Sequence, residues 1–183
     1  LSRDIVHIDL VGSSNAPAVV VSQNGAAVVL LRGGTANQMA VEAQLARRGV
    51  TTVELAADLR LSETASPCTL PAAQWVRADA LPAGTVRKLR CTPALVELLR
   101  TRNGCLVRLT IGNRQFAALS GTVELAEPVS VQWLLASPAK AAAVRYEKVL
   151  ALRRYDGLEP GLQSGQELPA SLSLRRHGGL KAE

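Results

Sequence analysis

Short apolar runs, separated by turns rich in glycine and asparagine, fill the first third of the chain. Residues 5–10 form an apolar-rich segment, and residues 19–21 and 28–31 are apolar runs on either side of Asn24-Gly25. Asn-Gly is a strong hairpin signal, because both positions of the turn tolerate a positive φ. The pattern therefore predicts three strands, two of them joined in a hairpin.

A helix is predicted after the third strand. Residues 37–48 carry Met39, Leu45 and several alanines, end in Arg47-Arg48 and are followed by Gly49, as is typical of a helix end. Residues 62–84 are rich in Ser, Pro, Ala and Thr. They predict a long loop with one helical turn near Trp75.

Thr92-Pro93 is the clearest helix signal of the second half. Threonine favours the N-cap and proline the first helical position, so a helix is predicted over 92–101. The Ala-rich residues 138–149 predict another. The other apolar segments predict strands at 53–57, 85–89, 106–111, 115–119, 129–135, 150–154 and 171–175, with a hairpin turn at Gly112-Asn113.

Strand pairs followed by a helix and a strand occur twice along the chain. This order predicts an α/β (α+β) sandwich, in which two mixed sheets face each other and the helices pack outside. Residues 1–183 are expected to form one domain, with a strand-containing C-terminal extension at 158–183. A chain of this size can bury a core without disulfide or metal.

Composition narrows the class of protein. Hydrophobic residues make up 48% of the chain and aromatic residues only 3%, so the core must consist of Ala, Val and Leu. A mean hydropathy of +0.14 disfavours disorder. No uncharged apolar run approaches the ~20 residues of a membrane span, and the N-terminus does not resemble a signal peptide. Because the chain begins at Leu1, we expect it to be a segment of a longer protein.

The chain is basic, with 21 Lys and Arg against 15 Asp and Glu and a net charge of +6. Four of the 21 are Lys, so 17 are Arg, whose forked guanidinium groups bind phosphate well. A basic surface suits nucleic acid or an anionic membrane. A compositional bias towards Ala and Arg is the favoured explanation, however, and no basic run exceeds two residues, which is typical of solvated faces.

Candidate chemistry is sparse. Cys68, Cys91 and Cys105 form no CxxC pair, which disfavours a zinc or redox motif. Three small buried hydrophobic residues are the favoured interpretation, and one disulfide with a free thiol stays open. His7 precedes Asp9 by two positions in a predicted strand, so a histidine–carboxylate contact is allowed, but a hydrogen-bonded structural histidine is favoured. His177 is expected to lie in a solvated tail.

Two glycine-containing turns are candidates for phosphate-binding loops. Gly12-Ser13-Ser14 and Gly33-Gly34-Thr35 match neither GxGxxG nor a Gly-Lys-Ser/Thr motif, so a plain turn is favoured at both. No serine lies in a GxSxG turn, and the acidic residues form no cluster. The residues alone therefore indicate no catalytic site.

Five short segments follow one another in an order found in a known family. They lie at 8–16, 30–34, 45–50, 103–109 and 118–122. This order, and stretches such as Leu30-Leu31-Arg32-Gly33-Gly34 and Ala118-Leu119-Ser120-Gly121-Thr122, resemble the metallo-β-lactamase-like domain at the C-terminus of ComEC, the competence DNA-internalisation family. The resemblance covers residues 4–157 and implies a four-layer αββα sandwich.

The metal-ligand positions of that family are substituted here. Where the family has a His-x-Asp-x-Asp-His turn, an Asp after Thr-Gly and a His-His-Gly-Ser turn, this chain has residues 60–65, Thr122 and Ser137-Pro138. These residues lack the imidazole and carboxylate ligands that metal-dependent hydrolysis needs. Arg32 and Arg60 would bring positive charge into the cleft if they enter it. The resemblance therefore implies no catalytic, cofactor-binding or metal-binding residue.

The expected function follows from this resemblance. The chain would be a catalytically inactive, extracytoplasmic domain of a membrane-bound DNA-uptake protein, acting as a scaffold or a weak DNA-guiding surface. Expected partners are the transmembrane remainder of the parent protein and, through phosphates alone, DNA; no cofactor or small-molecule substrate is expected. Two alternatives stay open: a small enzyme with an unrecognised site in loop 62–84, and a protein-interaction module.

Overall fold

The computed structural model describes residues 4–13, 15–61, 68–135, 142–154, 167–168, 170–175 and 180–182. Within these ranges the chain forms two large sheets, a two-stranded pair, one α-helix and a short 3₁₀ helix at Ala78–Ala80. The elements in chain order are β1 (Ile5–Val11), β2 (Ala18–Gln23), β3 (Ala26–Leu31), α1 (Thr35–Arg47), β4 (Thr52–Asp58), β5 (Trp75–Arg77), β6 (Val86–Arg90), β7 (Leu95–Arg100), β8 (Gly104–Ile111), β9 (Arg114–Gly121), β10 (Val129–Leu135), β11 (Val144–Leu150), β12 (Arg153–Arg154), β13 (Glu167–Leu168), β14 (Ala170–Arg175) and β15 (Leu180–Ala182).

The first sheet has the strand order β15-β14-β1-β2-β3-β4-β5. The predicted hairpin between β2 and β3 is confirmed, and its turn residues Asn24 and Gly25 have φ values of 51° and 77°. Positive φ at both positions is what makes Asn-Gly suitable for a two-residue turn. The predicted strand at 171–175 is confirmed as part of β14, which pairs antiparallel with β1.

The second sheet has the strand order β11-β10-β9-β8-β7-β6. Its predicted hairpin is also confirmed: β8 and β9 pair from Gly104↔Gly121 to Ile111↔Arg114 across Gly112-Asn113, and Gly112 has a φ of 61°. Both hairpins lie in the interior of their sheets. The two halves of the chain therefore place equivalent turns at comparable positions, as predicted.

The two halves share one topology. In the first half β1, β2 and β3 form an antiparallel meander, after which β4 and β5 add in parallel. In the second half β7, β8 and β9 form the meander, and β10 and β11 add in parallel. The connection from β3 to β4 contains α1, whereas the connection from β9 to β10 is the short segment 122–128. The predicted internal repetition is therefore confirmed at the level of strand order.

The main core lies between the two sheets. Ile8, Leu30 and Leu55 of the first sheet pack in one apolar cluster with Val107 and Phe116 of the second. On the outer face of the first sheet, Val41 and Leu45 of α1 pack against other residues of the sheet in a second cluster. The predicted α+β class, with two facing sheets and a helix outside, is confirmed.

A third apolar cluster lies on the outer face of the second sheet. It gathers Leu106, Ala117 and Leu134, and Val123 and Leu125 of the 122–128 connection pack against it. Within the described ranges this outer layer contains no helix.

Three local predictions are wrong. Residues 92–101 form no helix; β7 lies there, between β6 and β8, with Val96 and Leu98 pointing into the core. Residues 144–149 belong to strand β11 rather than to an Ala-rich helix, and residues 136–141 lie outside the described part. Strand β5 at Trp75–Arg77 interrupts the predicted loop, and the helical turn predicted near Trp75 follows the strand at Ala78–Ala80. In the described part of the chain, no helix is both long and apolar enough to cross a membrane.

Candidate functional site

Arg32 closes the edge at which the two sheets come together. It follows the last residue of β3, and its guanidinium donates to three backbone carbonyls: Nε to Pro17 at 2.7 Å, Nη1 to Leu119 at 2.8 Å and Nη2 to Leu135 at 2.9 Å. Leu119 lies near the end of β9, and Leu135 is the last residue of β10. One side chain of the first sheet thus holds two strand ends of the second.

This guanidinium carries a buried positive charge. Arg32 is 4% exposed, and burial lowers its pKa to about 10, so the group stays charged at neutral pH. Among the described residues no carboxylate bonds to it, and three carbonyl oxygens supply the compensating partial charge. The nearby Cys105 offers no counter-charge, because burial raises the pKa of its thiol to about 12. Arg32 therefore does bring positive charge between the sheets, as the sequence suggested.

Arg60 has a different partner. Its Nε and Nη2 each lie 2.9 Å from a different carboxylate oxygen of Asp58, the last residue of β4. This hydrogen bond is the main cause of the raised pKa of Arg60. Asp58 is 6% exposed and also accepts the backbone N–H of Arg60 at 3.1 Å. The carboxylate at the end of β4 is thus engaged by a neighbouring arginine.

Asn37, in the first turns of α1, joins three backbone segments. Its Oδ1 accepts the N–H of Ser13 at 2.7 Å, and its Nδ2 donates to the carbonyls of Ala16 and Arg32, both at 2.7 Å. Asn37 is 1% exposed. Sequence reasoning did not identify this residue; an asparagine early in a helix, close after Gly-Gly-Thr, was the available signal.

The close approach of Asn37 explains why both turns contain glycine. Gly12 and Gly33 have φ values of 93° and 76°. A Cβ at Gly12 would lie 2.1 Å from Oδ1 of Asn37, and one at Gly33 would lie 2.3 Å from its Nδ2. The preference for plain turns over phosphate loops therefore has a structural explanation in the described residues; Ser14 lies outside them.

His7 and Asp9 have separate partners on the helix-facing side of β1. Nδ1 of His7 lies 2.8 Å from Oγ of Ser173 in β14. The carboxylate of Asp9 accepts from Nη2 of Arg48 at 2.8 Å and from Oγ of Ser171 at 2.6 Å. His7 is thus hydrogen-bonded across the sheet, in keeping with the structural interpretation.

Asp9 is a fully buried carboxylate that stays ionised. Burial alone would raise its pKa, but hydrogen bonds from Arg48, Ser171 and Gln44 outweigh that effect, and the pKa is lowered overall. Arg48 follows the C-terminus of α1, where a cation is favoured by the helix dipole. The ion pair of Asp9 and Arg48 therefore links the C-terminal end of α1 to β1 of the first sheet.

Among the described residues, two hydroxyl groups are buried without a partner. They are Oγ of Ser22, which lies opposite His7 in the register of β1 and β2, and Oγ1 of Thr110 in β8. Such groups cost free energy unless something bonds to them.

All three cysteines are free thiols. Cys68 and Cys105 are buried, as the interpretation of small hydrophobic residues requires, and Cys91 is half-buried with a pKa raised by burial. Sγ of Cys105 lies 3.9 Å from the carbonyl oxygen of Leu59, to which it donates. The alternative of one disulfide is wrong.

The remaining candidate positions are distributed as follows. Thr122 is exposed just beyond β9, and its N–H donates to the carbonyl of Asn103 at 3.0 Å. Residues 62–65, Ser137-Pro138 and His177 lie outside the described part. Among the residues that are described, no three His, Cys, Asp or Glu side chains are grouped so that they could hold a metal ion.

The comparisons with known proteins give a similarity in fold and no match in sequence. No protein-family model matches the chain, and no curated protein sequence matches it. The fold is similar to the crystal structure of the metallo-beta-lactamase fold protein YhfI from Bacillus subtilis, with 9% sequence identity and a TM-score of 0.46 over 72% of this chain and 70% of that chain. A TM-score of this size carries no conclusion about the function of the present chain.

Proposed function

We propose that this chain is a non-hydrolytic scaffold domain that guides nucleic acid weakly through its phosphates. The observation that carries the first part is the guanidinium of Arg32, which is buried between the strand ends of both sheets. Its charge and its three hydrogen bonds to carbonyls occupy the space between the sheets at this edge.

A fixed cation at this place opposes metal-dependent hydrolysis. Such chemistry needs a divalent ion held by imidazole and carboxylate groups, with a bound water made nucleophilic. A second cation near Arg32 would be repelled in a low-dielectric environment. Asp58, the carboxylate at the end of β4, is already engaged by Arg60. The domain is therefore proposed to support a larger protein rather than to cut a substrate.

The nucleic-acid part rests on charge. The net charge is +6, and arginine supplies most of the cations. Trp75 and Trp133 are partly buried against the apolar clusters. Each ring also has a cation over it, Arg77 at 5.8 Å from the ring centre of Trp75 and Lys148 at 5.5 Å from that of Trp133. Single-strand binders usually combine a cationic groove with free rings. Binding is therefore proposed to run through phosphates, independent of sequence.

The proposed setting is the one that the family resemblance implies. In it the domain belongs to a membrane-bound DNA-uptake protein and lies on the extracytoplasmic side, next to the transmembrane remainder of the parent chain. A basic surface there would keep incoming DNA close without trapping it, since phosphate contacts alone bind weakly at physiological salt.

Fluorescence anisotropy with labelled oligonucleotides tests this function. Single-stranded probes of unrelated sequence should all bind with the same affinity, and so should double-stranded probes. Binding of both kinds should be tighter at about 50 mM than at about 200 mM salt, with a Kd of ~10⁻⁴ M at physiological salt. Absence of binding even at the lower salt would overturn the nucleic-acid function and favour a protein-interaction module. Sub-micromolar binding at the higher salt would reveal a dedicated site and also contradict the proposal.

A further inference from the structure

Several of the described arginine side chains are used inside the protein. Those of Arg32, Arg48, Arg60, Arg100 and Arg108 bond to carboxylates or backbone carbonyls. These five guanidinium groups are therefore not freely available to a partner.

Among the side chains that the structure describes, six exposed Lys or Arg residues make no hydrogen bond, ion pair or ring contact: Arg87, Lys88, Arg90, Arg102, Arg145 and Arg175. Four of these six lie close together. The first three belong to β6, the edge strand of the second sheet. Arg102 lies in the turn between β7 and β8. We call these four residues the β6 edge.

Backbone bonds hold this turn beside the start of β6. The N–H of Arg100 donates to the carbonyl of Thr85 at 2.9 Å, and the N–H of Gly84 donates to the carbonyl of Arg100 at 2.7 Å. Along the strand, Lys88 and Arg90 lie on one face about 7 Å apart, because each residue advances ~3.3 Å. Arg87, which pairs with Leu98 of β7, lies on the opposite face. The cations therefore form a row that follows the exposed edge, with side chains on both of its faces.

Nearby carboxylates do not neutralise the row. Glu97 lies opposite Lys88 in the register of β6 and β7, but its carboxylate is bound by Arg108 at 2.7 Å. Glu54 lies beyond the end of β6, where its Oε2 accepts the N–H of Thr92 at 3.2 Å. The β6 edge thus keeps a net positive charge over its length.

An open cavity of about 310 Å³ adjoins one end of the row. Arg90 and Thr110 contribute to its lining, together with Cys91, Leu95 and Gly112. Oγ1 of Thr110 is the buried hydroxyl that has no partner. A guanidinium and an unused hydroxyl around one cavity suit an oxygen-rich anion.

We propose that the β6 edge is the phosphate-binding site of this domain, with Arg87, Lys88, Arg90 and Arg102 contacting successive phosphates of one nucleic-acid strand and Arg90 and Thr110 holding a phosphate oxygen at the cavity. This inference rests on the proposed function and assigns its surface. A linear row of cations on an edge strand matches a linear polyanion, and each contact releases counterions, which makes binding salt-dependent.

A matched pair of variants tests the assignment in the full chain. Lys88→Gln/Arg90→Gln and Arg145→Gln/Arg175→Gln each remove two positive charges from exposed positions, so they lower the net charge equally. With four contacts, a single-stranded probe should give a slope of log K against log salt of about −3. The first pair should halve that slope and weaken binding roughly tenfold or more at about 50 mM salt, whereas the second should leave the slope unchanged.

The outcomes separate the two proposals. If the unmodified chain binds no oligonucleotide, the proposed function fails. If it binds and both pairs weaken binding equally, the function stands and the β6 edge is overturned as its site.

Thr110→Val tests the contribution of the cavity. Oligonucleotide binding should weaken while the melting temperature stays equal or rises, since a buried unpaired hydroxyl is lost. Unchanged binding by this variant would remove the cavity from the site.

Discussion

Nη2 of Arg32 lies 2.9 Å from the carbonyl oxygen of Leu135, and this bond ties the end of β3 in one sheet to the end of β10 in the other. The two residues are 103 positions apart in the chain. With the bonds to Pro17 and Leu119, the guanidinium of Arg32 joins three backbone segments at this edge. Both the stability and the proposed lack of hydrolysis depend on it.

Arg32→Met should destabilise the protein by about 3 kcal/mol or more, because two buried carbonyls and one partly buried carbonyl lose a charged donor. Leaving a buried carbonyl unpaired costs ~1–3 kcal/mol. Urea unfolding at neutral pH measures the change. The control is Arg145→Met at an exposed position, which should lie within ~0.5 kcal/mol of the unmodified protein. Equal stabilities of Arg32→Met and the control would show that the connection is unimportant.

Asn37→Ala should cost about 2–4 kcal/mol, since the N–H of Ser13 and the carbonyls of Ala16 and Arg32 lose their partner together. Gln38→Ala, the next residue of the same helix, is the matched control and should change the free energy of unfolding by less than ~0.5 kcal/mol. Thermal or urea unfolding of the two variants measures both changes in the free energy of unfolding. A loss of similar size in both would mean that helix propensity, rather than this set of bonds, dominates.

Asp9 makes stability depend on pH in the acid range. Its pKa in the folded protein is lowered below the ordinary value of 3.8, so the unfolded chain binds its proton more readily. The stabilisation is therefore fully present above about pH 4 and is lost as the pH falls through the folded pKa. Asp9→Asn should cost about 2 kcal/mol at pH 7 and much less near pH 2.

Urea midpoints measured between pH 2 and pH 7 test this dependence. The exposed Glu124 serves as control, and Glu124→Gln should follow the pH profile of the unmodified protein. A constant difference between Asp9→Asn and the unmodified protein at all pH values would rule out a role for ionisation of Asp9.

Thiol titration should distinguish the cysteines by burial. Cys91, which is half-buried, should react with an aromatic disulfide reagent in the folded protein, whereas Cys68 and Cys105 should react only on unfolding. The pKa of Cys105, raised to about 12, further suppresses its thiolate at neutral pH. Cys91→Ser should abolish the early reaction. Fewer than three reactive thiols in denaturant would contradict the free state of all three.

The hairpins could be predicted because their turns are decided locally. Asn24-Gly25 and Gly112-Asn113 specify turns whichever strands follow, and the structure places both as expected. Thr92-Pro93 shows the limit of local signals. Leu95, Leu98 and Leu99 fit a helical face, but burial of Val96 and Leu98 between β6 and β8 favours a strand, and this tertiary context is invisible in the local sequence.

The polar connections were less predictable for the same reason. That Arg32 could enter the space between the sheets followed from the family resemblance, whereas its carbonyl partners lie 15, 87 and 103 residues away. The concentration of unused cations at the β6 edge was also hidden, because it depends on which arginines find internal partners. The evenly spread basic residues of the sequence predicted only solvated faces.

Metal dependence is the most direct test of the central claim, the edge closed by Arg32. The measurement is the melting temperature of the purified protein at neutral pH, recorded alone, with EDTA, and with an equimolar amount of Zn²⁺ or Mn²⁺. A metal site built into the fold would contribute to the free energy of folding and so to the melting temperature. The account predicts the same melting temperature in every condition. A melting temperature that falls with EDTA and is restored by about one equivalent of metal per chain would contradict it.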